Sequence, residues 1–275
     1  MSACILRASV DMGLPSLEEV ASHAAAQAEV MRNLVRESLS KEWRDRQVCD
    51  AEGLDALVAL TVAHLNLLEE PRGGGDLSPH EETSAACFKL ARNLCVEQPN
   101  VQEYWWSSGL VARLTQRVVA DVALADERGA AWSEAVPGFL LNVVAGNVEL
   151  RARAVEAWFP ATLAAACALC WRRPELAFML VQTLVASEDL STTTASAMPL
   201  AWRLVETEDG HCVVFILLSL LFRGGVGIER NREQVGPKAW EWASIFLHGL
   251  FMGGGFKSAY SGLREMTVGR LHGFW

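Results

Sequence analysis

Tyrosine occurs only twice in 275 residues, and runs of alternating polarity are hard to find, so the chain lacks the usual material of β-structure. Proline (9) and glycine (21) are too scarce for a disordered or fibrous protein. Bases are outnumbered, 24 against 33 acids, for a net charge of −9, and no cluster of Lys and Arg makes a local exception. That balance argues against nucleic acid and against an anionic membrane surface as partners. The run Arg32–Gln47 mixes both signs, as a solvated helix face does. The longest apolar run, Cys212–Phe222, is too short to span a bilayer and reads as a buried helix. No secretory, myristoylation or prenylation signal is evident in "MSACILRASVDMG" or "LHGFW". Seven cysteines, an odd number, do not suggest a disulfide framework, and no N-x-S/T sequon occurs. A reducing, cytoplasmic compartment is the expectation.

What is present is helical periodicity. Apolar residues recur at helical spacing over 16–41, 52–69, 79–97, 101–121, 130–146, 149–171, 174–187, 197–207, 210–223 and 236–252. The breaks have chemical causes. "EEPRGGGDLSP", Glu69–Pro79, is a connector whose proline opens the next helix. Gln98 before Pro99 ends one helix, and Gly146 can end another in the left-handed cap conformation. The expected layout is N-terminal helices over 1–70, a Gly/Pro-rich connector over 71–79, helical repeats over 80–252, and a Gly-rich, poorly ordered tail over 253–275.

Two stretches share one plan. "LARNLCVEQPNVQEYWWSSGLVARL" (Leu90–Leu114) and "FLLNVVAGNVELRARAVEAWFPATL" (Phe139–Leu163) each run an apolar helix with one Asn, a turn with a second Asn, then an amphipathic helix carrying aromatics. Each then breaks, at Gly109 or Pro160. Asn93 and Asn142 stand 49 residues apart, close to the armadillo and HEAT period. A degraded third copy at Phe178–Leu190 puts Gln182 in the Asn position. The expected fold is therefore all-α, an armadillo/HEAT-like α-solenoid in a right-handed superhelix, because such units cannot bury their apolar faces alone and must stack.

An Asn on the exposed helix of each unit offers an acceptor and two donors, suited to reading the backbone of an extended peptide. Asn93, Asn142 and Gln182, with Trp105 and Trp106 between them, are the peptide-groove candidates. The structural alternative is that each Asn satisfies a neighbouring connector and that the tryptophans pack between repeats.

At these residues the chain resembles the ataxin-10 family. Leu90, Arg92, Asn93, Cys95, Asn100 and Gln102 match its first element. Phe139, Leu140, Asn142, Asn147, Trp158, Phe159 and Pro160 match the second, and Met179–Val185 and Val213–Phe222 look like the helices that follow. The resemblance covers about residues 80–222 and only the N-terminal part of the family, whose members carry a further repeat block. It implies a cytoplasmic, non-enzymatic armadillo scaffold supporting cytokinesis, with centrosome or midbody association and no catalytic residues.

Catalytic patterns are sparse. "CALC" (Cys167–Cys170) lacks the second pair of a zinc site and sits in a helical stretch rather than after a strand. "HEETS" at His80 lacks a second histidine, and the Gly-rich "GGVGIER" and "GGGF" lack a phosphate-loop lysine. The six histidines have no recurring partner. The expectation is no enzyme, no cofactor, no metal, no small-molecule substrate, and other proteins as partners through a concave groove. The alternatives are a transport adaptor for basic peptides and a small all-α enzyme using Cys167 or a histidine.

Overall fold

The computed structural model describes residues 17–47, 51–69, 78–123, 135–185, 200–222 and 237–252. The connector over 71–77 and the tail over 253–275 lie outside them. Thirteen α-helices and no strand occur among the described residues: α1 Leu17–Glu37, α2 Lys41–Gln47, α3 Ala51–Glu69, α4 Ser78–Leu94, α5 Pro99–Ser107, α6 Leu110–Ala123, α7 Ala135–Val144, α8 Val148–Trp158, α9 Ala161–Leu169, α10 Pro174–Val185, α11 Leu200–Glu206, α12 Glu208–Phe222 and α13 Pro237–Met252. A single 3-10 turn, Cys170–Arg172, follows α9. The all-α expectation holds.

Two stretches that periodicity reads as single helices are pairs, and one short helix, α2, lies between the stretches 16–41 and 52–69 and is not expected from periodicity. α1 ends short of 41, where Ser38 donates to the Val35 carbonyl (2.7 Å), and Ser40 Oγ accepts the Trp43 N–H (3.3 Å), capping α2. The stretch 101–121 breaks at Gly109, which takes φ 78°, and Ser108 Oγ accepts the Leu110 N–H there. The stretch 149–171 breaks at Phe159–Pro160, where the proline precedes α9. Pro99 opens α5 at its first turn, and Gly146 closes the segment after α7 at φ 74°.

The chain forms two compact units: residues 1–117 with 125–147, and residues 118–124 with 148–275. The division falls inside the stretch 80–252 that reads as one array.

In the first unit α4 is the central element. It packs most extensively on α1, then on α7 and α3. Phe88, Leu90 and Cys87 on α4 and Cys95 just beyond its end are fully buried, as are Phe139, Leu140 and Val143 on α7. The rings of Phe88 and Phe139 lie 5.6 Å apart, and Trp105 meets Phe139 edge-on at 6.5 Å. In the second unit α10 packs on α13 and α9 on α12, with Phe178 and Phe246 at 5.9 Å. Among the described helices, the extensive pairings in both units include ones between helices that are not chain neighbours: α1 with α4, α4 with α7, α9 with α12, α10 with α13.

Candidate protein-binding face

From His80 onward α4 exposes a narrow seam: Glu82 and Lys89 are exposed and Glu81 and Arg92 half-buried, with Val96 exposed just beyond its end. The Asn residues singled out by the sequence lie beside this seam, and each is tied to an earlier helix, Asn93 to the end of α1 and Asn142 to α4. Asn93 on α4 is 6% exposed, and its Nδ2 donates to Ser38 Oγ at the end of α1 (2.8 Å). Its Oδ1 accepts from Arg92 Nε (3.2 Å) and Nη2 (3.0 Å). Asn142 on α7 is half-buried, and its Nδ2 donates to the Arg92 carbonyl on α4 (3.1 Å). The Asn142 Oδ1 has no donor among the described residues.

A third amide completes the network. Gln102 on α5 is buried, and its Nε2 reaches the carbonyls of Asn142 (2.8 Å) and Ala145 (2.7 Å), with Cys95 farther off (3.4 Å). The last carbonyls of a helix have no partner within it, so one side chain serves the ends of α4 and α7 together. Gly138 on α7 makes room for this arrangement: a Cβ there would stand 3.3 Å from the Arg92 Cδ. Sequence reasoning named Arg92 and Gln102 only through the family resemblance and missed Ser38 and Gly138. The available signal was a glutamine in the first turn after a helix-opening proline, where it can reach back to the preceding carbonyls.

The remaining candidates divide by burial. Trp105 is fully buried among Phe139, Tyr104 and the Cys95 thiol, and its indole N–H finds no oxygen or nitrogen acceptor. A ring so placed packs the core and is shielded from any ligand. Trp106 and Gln182 are half-buried, the latter on α10 in the second unit. Exposed apolar side chains mark the ends of α1 and α4: Leu39 is 70% and Val96 37% exposed. Beside them Lys41 Nζ pairs with Glu97 (3.2 Å), and Gln98 donates to Asp45 (2.9 Å).

Four described cysteines are buried and three described histidines are hydrogen-bonded. Burial pushes the Cys87 and Cys167 thiols up to about 12 and those of Cys95 and Cys170 well above the ordinary value. Cys170 Sγ donates to the Ala166 carbonyl, so both cysteines of "CALC" belong to the core. His64 and His80 meet inside the first unit, Nδ1 to Nδ1 at 3.3 Å. His211 Nε2 bonds the Val205 carbonyl at 2.6 Å in the second. Among the described residues no group of three or more His, Cys, Asp or Glu is placed to hold a metal ion, and no described helix is long and apolar enough to cross a membrane. The chain matches no protein-family model, no curated protein and no solved structure.

Proposed function

We propose that the protein is a non-catalytic scaffold of armadillo-type helical repeats, and that the repeats within each unit present a face for other proteins. One observation carries this reading: within each unit, described helices that are not chain neighbours pack extensively, α1 on α4 and α4 on α7 in the first, α9 on α12 and α10 on α13 in the second, as they do when helical repeats stack. The two Asn ties add to it, since they join the same packed pairs, α4 to the end of α1 and α7 to the end of α4. The protonated state of the buried thiols weighs against the enzyme alternative that would use Cys167.

On this reading Asn93 and Trp105 are the frame behind the groove. Contacts to a peptide come from Asn142, with its unengaged Oδ1, and from the half-buried Trp106 in the first unit, and separately from the half-buried Gln182 in the second. The ataxin-10 resemblance supports a cytoplasmic partner set drawn from the division machinery. Proximity labelling with the full chain in dividing cells tests both parts. Enrichment of division proteins that falls when Asn142→Arg and Trp106→Glu are introduced is the expected result. Recovery of metabolic enzymes alone sinks the cytokinesis assignment, and enrichment indifferent to both substitutions sinks the groove.

A further inference from the structure

We propose that α2 is a detachable strap, and that its seat at the ends of α1 and α4 takes a partner's helix in its place, one carrying a tryptophan with a base two positions before it and an acid two positions after. α2 is seven residues long, Lys41–Gln47, and packs chiefly on α4. A helix of that length has no stability of its own in water, so tertiary contacts must hold it. Trp43 is its one buried residue.

The other ties lie at the rim. Arg44 Nη1 donates to the Ser38 (3.0 Å) and Leu39 (3.1 Å) carbonyls just past α1. In the turn after α4, Glu97 pairs with Lys41 Nζ, and Gln98 Nε2 donates to Asp45. Lys41 and Glu97 are both well exposed, and such a pair adds little in water. The Trp43 ring is therefore the main anchor, and it sits at a disadvantage, its indole N–H buried with no acceptor among the described residues. An element fixed by one ring and a few surface contacts opens locally, ahead of the helices it lies on.

The chemistry of the occupant follows from what α2 presents. The seat receives an indole, Glu97 meets the base before it, and the Gln98 amide meets the acid after it. Glu97 takes φ 59°, where glycine is the usual choice, so the turn keeps a carboxylate at a position whose backbone disfavours one. Leu39 and Val96 stay exposed with α2 in place. A partner helix longer than α2 can cover them too, which favours it over α2. Tethering gives α2 the opposite advantage. Only Ser38–Ser40 separate it from α1, which holds it near the seat at an effective concentration of about millimolar. α2 is thus an intramolecular inhibitor that a partner must outcompete. The same short tether keeps it from reaching a second copy. The strap operates whether or not Asn142 and Trp106 meet a peptide.

A fluorescein-labelled peptide of residues Ser40–Gln47, SKEWRDRQ, probes the seat on the full chain. It should bind Trp43→Ala at least about ten-fold more tightly than wild type, and the same peptide with alanine for tryptophan should bind neither. In wild-type amide exchange, 41–47 should open at least about a hundred-fold more readily than α4. In Trp43→Ala that segment should lose protection while α1 and α4 keep theirs, because a strap that detaches alone can be lost without them. Equal peptide binding to the two proteins, binding to neither, or unfolding of α4 together with α2 overturns the proposal. A wild-type dimer that Trp43→Ala dissolves gives the seat to a second copy and overturns it as well.

Discussion

Both units are helical among the described residues, but they are held together by different chemistry. Every buried polar residue among the described ones lies in the first unit: Ser38, Thr61, His64, His80, Thr83, Ser84, Asn93, Gln102 and Thr115. The second unit closes instead on apolar contact and close backbone approach. There Gly210, near the start of α12, lies so near α11 that a Cβ would stand 1.9 Å from the Arg203 carbonyl oxygen and 2.4 Å from the Leu204 Cα. Thr207 caps the same corner, accepting the Gly210 N–H at 3.0 Å and donating to the Arg203 carbonyl at 2.6 Å. Buried hydrogen bonds fix register by direction, since a slipped helix leaves polar groups unpaired. Apolar packing fixes it by shape, and the most sensitive point is where no atom can be added.

The sharpest break of this contrast is Gly210→Ala. Alanine favours a helix by about 1 kcal/mol over glycine, so a neutral outcome would mean that the corner is looser than described. A backbone clash at this distance should instead cost more than about 4 kcal/mol, because α11 and α12 must part. Denaturant unfolding monitored together with exchange at 200–222 would show the loss confined to the second unit.

In the first unit the largest single loss should come from Trp105→Ala, about 3–5 kcal/mol, by removing a fully buried ring from against Phe139. A loss below about 1 kcal/mol would return Trp105 to the surface and to the list of ligand contacts. Next in size is Asn93→Leu. It keeps the volume but leaves Ser38 and Arg92 without their amide, at a cost of about 1–3 kcal/mol. Stabilisation by Asn93→Leu would mean that apolar packing suffices here too, and the contrast between the units would fall.

Much of the helical pattern was legible because its causes are local. The 3.6-residue period marks the helices, and Pro99, Gly109 and Pro160 break them by restricting or freeing the backbone where they stand. The division between α1 and α2 was not legible, since neither Gly nor Pro marks it and the turn depends on serine hydroxyls bonding backbone groups. For the candidate site, an Asn inside an apolar helix was visible as an anomaly. Its partner was not: Ser38 is 55 positions from Asn93, and the Arg92 carbonyl 50 from Asn142. Nothing in local pattern distinguishes a donor aimed at a peptide from one aimed at a distant turn. The pairing of His64 with His80 escaped for the same reason, as the spacing of 16 matches no helical or motif interval.

The smallest effect tests whether polar contacts in the first unit matter by kind or by burial. The Tyr104 hydroxyl donates to Asp55, joining α5 to α3, but it does so near solvent. Burial first, and then the neighbouring carboxylate, raise the phenol well above its ordinary value, so it stays protonated throughout the useful pH range. Tyr104→Phe keeps the ring against Trp105 and removes only the hydroxyl. Water can replace that bond on both partners, so the loss should stay below about 1 kcal/mol, well under that of Asn93→Leu. Equal losses in a chemical-denaturation comparison would show that the first unit depends on its hydrogen bonds wherever they lie. The expected inequality assigns register to the buried ones, at Asn93 and Gln102, where no water can substitute.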